Sequence, residues 1–293
     1  MLKDWWQFTL ALFERMDKIH MSLIAAGVAF YALFAVFPGL AALFALWGLW
    51  YDPQLIEQYI LHTADEFIPS GAADIIYGQI NELIAAGPTQ LGWTTVISFL
   101  IATISARAGV DALIRGLNAA NGVRSHSTIM GFLLAYVLTL VIVGVVILGL
   151  ALIIVVPLML NFLPDVPLRA WMLGSIPWIA IFVIVLLVIG IMYRYGPNVK
   201  TPRTAIFTWG SLFAALAWAL ASYAFSAYLA SFHSYNRIYG SIGAVIALLM
   251  WFYLGGFSVM LGAIINLELA RHRRVAAARK LRKAARENTT PKD

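Results

Sequence analysis

With 293 residues, 62% of them hydrophobic, only 12% charged and a mean hydropathy of +0.84, the chain is too apolar for a soluble domain, where charged residues approach a quarter of the total. It reads as a membrane protein, and the membrane span is the unit in which its length is counted. The lack of cysteine excludes disulfides, thiolate metal sites and cysteine nucleophiles, and the net charge of +6 matters less than where the charges fall.

The opening WWQFTLALFERMDKIH places Trp5, Leu12, Met16 and Ile19 on one helical face, with Glu14, Arg15, Asp17 and Lys18 mostly elsewhere. This predicts a helix over residues 1–21 lying in the membrane interface as an anchor. The first apolar run after it is too long for a secretory signal. Hydrocarbon offers backbone groups no partner, so a crossing takes roughly 20 apolar residues as helix. Six stretches meet or approach that length: 22–50, 93–106, 129–160, 171–193, 205–230 and 241–267. Arg107 interrupts the second, which is expected to run on helically as ARAGVDALIRGLNAANG, partly at the cytoplasmic edge. The third would be about 48 Å long, so it must tilt, protrude or bend near Pro157.

Between the first two spans, residues 51–92 carry six acids and no basic residue. Asp52-Pro53 and Ser70 are good helix openings, Pro69 and Gly87-Pro88 good stops, and Ile76, Ile80, Leu83 and Ile84 recur at helical spacing. Two short amphipathic helices are expected, forming a periplasmic cap on the span ends, with a moving lid or a docking surface as the alternatives. The turn FHSYNRIYGS between the last two spans carries His233, Asn236, Arg237 and Tyr239 on the same outer side. After the sixth span, residues 271–286 hold eight basic residues and no acid, interleaved with helix-favouring alanines. Their position directly after a span favours anionic lipid heads over nucleic acid, which the same charge would attract.

Eighteen of the twenty Lys and Arg fall before span one, between spans two and three, between four and five, or in the tail. Basic residues resist translocation, so both termini are expected in the cytoplasm, as an even number of spans requires. The organisation expected is an all-α polytopic protein: an interfacial helix (1–21), a six-span domain (22–270) and a basic cytoplasmic tail (271–293).

The six apolar blocks contain no Asp, Glu, Lys, Arg or His. Proton- and sodium-coupled carriers usually hold such groups within the membrane, so this weakens that class without removing it, because broken helices can hold sodium through carbonyls. The ionisable groups are expected at the cytoplasmic rim. Arg107, Asp111 and Arg115, at i, i+4 and i+8, form a ladder of alternating sign on one helix face. Either the ladder neutralises itself, or Arg107 and Arg115, joined by Arg194, offer guanidinium forks to a phosphate head group. Glu268 could pair with one of these arginines, and Asn118 and Asn121 suit capping and turn duty or head-group contact. Pro38-Gly39 lies deep in the first span, where a proline permits a kink that serves packing or a gate. Small residues recur at Ser211, Ala215, Ala219, Ser222 and Ser226 in span five and at Ser258 and Gly262 in span six, allowing close helix approach. Aromatics near span ends, among them Trp93, Trp178, Tyr193, Tyr195 and Trp251, read mostly as interfacial belts.

Four segments, AAGVAFYALFAVFPGL, RGLNAANGV, YRYGPNVK and YGSIGAVIALLMWFYLGGFSVMLGAIINLEL, agree in order and spacing with one family. Over about residues 20–270 the chain resembles the YihY/BrkB family of bacterial inner-membrane proteins. The resemblance implies six spans in the inner membrane and links to virulence, envelope lipid handling and transport, without a settled activity. An old ribonuclease label for the family is regarded as mistaken. The residues also speak against an enzyme: the acids are dispersed, and no HExxH, GxSxG or phosphate-loop pattern occurs. No cofactor or metal is expected. The leading expectation is translocation of an anionic lipid or lipid-like amphiphile, with membrane lipids as partners. An ion or small-solute transporter and an envelope scaffold with a protein partner are the alternatives, and self-association stays open. No specific nucleic-acid partner is expected.

Overall fold

A computed structural model describes residues 2–47, 87–125, 127–160, 167–199, 205–230 and 233–289. Its regular elements over those residues are α-helices: α1 (Leu2–Lys18), α2 (Met21–Trp47), α3 (Gly87–Asn121), α4 (Thr128–Leu160), α5 (Pro167–Tyr195), α6 (Trp209–Ala230) and α7 (His233–Thr289). Each helix from α2 to α7 contains a window long and apolar enough to cross a membrane: Met21–Gly39, Val96–Asn121, Ile129–Gly149, Ser175–Tyr195, Trp209–Tyr228 and Val245–Val275. The protein is therefore an all-helical, six-span membrane protein, as its hydropathy predicts. Of the periplasmic cap expected over 51–92, residues 51–86 lie outside the described residues, and 87–92 are the first turns of α3.

Two boundaries differ from the sequence reading. Gly87-Pro88 opens α3 instead of closing the preceding segment, because a proline in the first turn removes an N–H that would have no helical partner anyway. The segment read as an outer turn is helical from His233 onward. The second span is one 35-residue helix carried straight through Arg107. Its end is set by Gly122, whose φ of 66° is open to glycine without Cβ strain. Gly122 N–H bonds the Ala119 carbonyl and Val123 N–H the Asn118 carbonyl, both at 3.0 Å, which is a Schellman cap.

The six long helices close into a ring in chain order, α2 returning to α7, and α3 also touches α7. In lipid no hydrophobic force draws helices together, so close packing and hydrogen bonds must hold them. Those contacts gather at one end: Met21, Ala25, Ile114, Leu117, Ala135, Leu138, Ile189, Met192, Ala214, Met260 and Ile264 are buried there. This is the end at which α2, α4 and α6 begin and α3 and α5 finish. Toward the other end the described apolar side chains of α3, α4 and α6 are largely exposed, as expected of surfaces facing acyl chains.

α1 packs on this tight end. Leu12, Met16 and Ile19 press against the core, while Trp6, Leu10 and Phe13 on another face are exposed. The helix has one apolar face for protein and a second for the membrane interface. A single non-glycine residue of positive φ among the described residues, His20 at 51°, turns the chain from α1 into α2. α7 runs 57 residues, roughly 85 Å, so the sixth span and most of the basic tail are one continuous helix.

Candidate functional site

The ladder on α3 forms as its spacing predicts, and one of its rungs is bonded. Arg115 Nε donates to Asp111 Oδ2 at 2.7 Å. Asp111 is mostly covered, whereas the Arg115 side chain is 68% exposed, so the guanidinium reaches outward from the bundle. Arg107 extends toward α4, its guanidinium carbon 4.4 Å from the centre of the Phe132 ring, a cation–π contact that holds charge against an apolar wall. Tyr136, one turn on, stacks with Phe132 at 6.5 Å. Arg107, Asp111, Arg115 and this aromatic pair thus share the face between α3 and α4.

The neighbours of the α3 glycines show which part of α2 the ladder is level with. Gly116 lies against Ile24 of α2 and Met260 of α7, Gly109 against Val28, Tyr31 and Ala32, and Gly39 against Ala102. Asp111 is therefore level with residues 24–32 of α2, and Arg115, next to Gly116, with the start of that helix. The helix continues for 14 residues beyond Arg107, as the expected helical run ARAGVDALIRGLNAANG has it.

The other candidate residues fall into three separate places. Asn121 turns back to its own helix, Nδ2 donating to the Leu117 carbonyl at 2.7 Å, which is capping duty. Asn118 is buried and faces the end of α5, where its Oδ1 accepts the Asn198 N–H at 2.7 Å. Its Nδ2 is buried with no hydrogen-bond partner. Asn198 reaches on to the Arg124 carbonyl at 3.2 Å, tying the ends of α3 and α5 together. Arg194 belongs to this α5 end, half-buried with its guanidinium over the Tyr195 ring at 5.5 Å.

Glu268 is 2% exposed and takes Arg15 of α1 at 2.5 Å and Arg271 at 3.6 Å. Its close partner is thus neither Arg107, Arg115 nor Arg194, because α1 folds back onto α7 and delivers its own arginine. Pro38 lies inside α2, with Gly39 in ordinary contact with Ala102 of α3.

Several positioning residues were not singled out from sequence, or were read differently. Tyr193, read as part of an aromatic belt, is buried with its hydroxyl donating to the Val259 carbonyl at 2.5 Å. Trp251, read the same way, is half-buried, donates to Ser222 Oγ at 3.0 Å and lies beside Trp218. Asn266 joins α7 to the start of α6, accepting the Gly210 N–H and donating to Thr208 Oγ1, each at 2.8 Å. The one signal for Asn266 was its being a lone amide just inside the end of an apolar run. The small-residue stripe finds its partner within this chain where Ser211 and Ala215 are buried and Gly210 meets Gly262.

The profile of the family described as Virulence factor BrkB matches residues 12–288. Among similar proteins, the putative ribonuclease-like protein YfkH of Bacillus subtilis is 28% identical over 74% of this chain and 79% of its own length. A UPF0761 membrane protein of Delftia acidovorans is 30% identical over 73% of this chain and 49% of its own, and one of Cronobacter sakazakii is 38% identical over 33% of this chain and 31% of its own. The chain thus spans half or less of the length of those two UPF0761 relatives. No solved structure matches it. With six apolar helices in place and a match covering nearly its whole length, the chain belongs to the BrkB family of multi-pass proteins of the bacterial inner membrane.

Proposed function

We propose that the protein translocates an anionic lipid or lipid-like amphiphile, gripping the head group with Arg107 and Arg115 on the face between α3 and α4. The observation that carries this reading is the Arg115 guanidinium, 68% exposed although it is bonded to Asp111, on a helix apolar and long enough to cross the membrane. A charge on such a helix is costly unless it is paired or solvated, and a lipid phosphate meets a guanidinium with two parallel hydrogen bonds. Tails remain in hydrocarbon along the exposed apolar surfaces of α3 and α4 while the head moves past the ladder. The expected test is reconstitution with fluorescently labelled phosphatidylglycerol. Arg107→Ala combined with Arg115→Ala should slow its appearance in the opposite leaflet at least about tenfold, the loss of ~1.4 kcal/mol of binding to the moving head. Equal rates in wild type and the double variant would overturn the reading.

The mostly covered Asp111 carboxylate, on a helix long and apolar enough to cross the membrane, favours a second reading, cation-coupled transport of a small solute, since an intramembrane carboxylate is the usual seat of coupling. It is distinguished by sodium or proton dependence lost in Asp111→Asn. Rates indifferent to both ions would remove it.

A further inference from the structure

A second feature lies on the opposite side of the ring from the ladder, where α5, α6 and α7 meet at the tight end. An open groove of about 590 Å³ lies there, Leu186, Thr208, Leu212, Asn266 and Arg273 among its lining residues, a size suited to a small ligand or part of a lipid. Its polarity is graded along its length. The part between Leu186 of α5 and Leu212 of α6 is apolar but for Ser211, whose hydroxyl is turned back to the Thr208 carbonyl at 2.9 Å. The middle holds the Thr208–Asn266 amide bridge. Arg273 stands at the outer mouth, two turns beyond Asn266 on the same side of α7, about 10 Å along the axis.

We infer that this groove binds one anionic glycerophospholipid of the cytoplasmic leaflet, its acyl chain between Leu186 and Leu212, its glycerol level with Thr208 and Asn266, and its phosphate at Arg273. The order apolar, amide, cation is the order of those parts along such a lipid. The groove opens sideways beside Phe207 and Trp209, 61% and 67% exposed, at the inner end of the sixth helix's span, where aromatic side chains mark the membrane interface. That opening faces a leaflet and is poorly placed for a soluble ligand. Charge selects the anionic class. From residue 269 to 286 α7 has no acid, and Glu268 is already engaged by Arg15 and Arg271. The groove lies apart from the α3–α4 ladder and this inference does not depend on lipid movement. A lipid held here would brace α5, α6 and α7 against one another, a role in stability instead of cargo handling.

The test is lipid binding by the purified full-length protein, read by native mass spectrometry and by thermal unfolding, with phosphatidylglycerol and phosphatidylcholine added in parallel. Phosphatidylglycerol should bind more tightly and raise the unfolding temperature more than phosphatidylcholine. Arg273→Glu, an exposed change that leaves the interior untouched, should weaken the phosphatidylglycerol site about fivefold or more. Ala270→Trp, which fills the groove from its exposed wall, should abolish it for both lipids. Arg107→Ala with Arg115→Ala should leave it in place. Equal binding of the two lipids, or an unchanged phosphatidylglycerol site in both groove variants, overturns the inference. Loss of the site in the ladder variant alone also overturns it and moves the lipid to the ladder. A groove site that survives while lipid translocation is absent would sink the proposed function and leave this inference standing.

Discussion

At position 268 a carboxylate is almost fully withdrawn from solvent, and it is tolerable there because Arg15 lies 2.5 Å away and Arg271 adds a longer contact. Removing one partner of such a pair strands the other, so the cost of breaking it exceeds the worth of the pair itself. Arg15 is 30% exposed and partly recovers water, which lowers the expected loss. Glu268→Ala should therefore destabilise the protein by about 1–3 kcal/mol, and Arg15→Ala with Glu268→Ala should cost less than the two single changes together. Denaturation in detergent reads this cycle, and strictly additive losses would contradict the pairing. Sequence marked Glu268 as the carboxylate that needs a cation, but the partner lies 253 residues away, and three other arginines satisfied the same charge argument. Asn118 was similarly visible as an amide near a helix end. That it spans to Asn198 while Asn121 caps its own helix depends on how α3 and α5 meet, which no local pattern encodes.

Among elements, the crossing of α6 with α7 is one where a single methyl would meet backbone on the neighbouring helix. A Cβ placed on Gly262 would collide with the Gly210 carbonyl and come within 2.6 Å of the Tyr193 hydroxyl and 2.7 Å of Ala214 Cβ. Backbone cannot yield as a flexible side chain does, so Gly262→Ala should cost about 1–3 kcal/mol of stability through overpacking. Gly144→Ala, where a Cβ meets nothing within 4 Å, should be neutral. Comparable unfolding temperatures for the two variants would contradict this crossing. The spans themselves were legible because hydropathy alone defines them. The helical run of α3 beyond Arg107 was legible as well; that the face bearing Arg107 finds Phe132 was not, because it depends on how α3 and α4 meet.

On the scale of the whole molecule, α1 and the end of the sixth span meet through Arg15 and Glu268, so the N-terminal helix and the basic tail lie on one side. The distribution of Lys and Arg makes that side cytoplasmic. The chain has no cysteine of its own, so single introduced cysteines report sidedness without background. In intact cells an impermeant thiol reagent should label Ser70→Cys directly and Arg273→Cys only after permeabilisation. The reverse pattern would invert the topology and with it the leaflet assigned to every arginine discussed above. Under the predicted pattern the tightly packed end is the cytoplasmic one, below helices whose apolar sides stand in lipid.

The claim that an anionic head group is held by the α3 ladder is tested most directly by an experimental density map of the protein in a nanodisc containing phosphatidylglycerol. The account predicts a phosphate within hydrogen-bonding distance of the Arg115 guanidinium on the face between α3 and α4, with acyl density running along α4. A map with no lipid there and a hydrated cavity carrying a cation at Asp111 would contradict it.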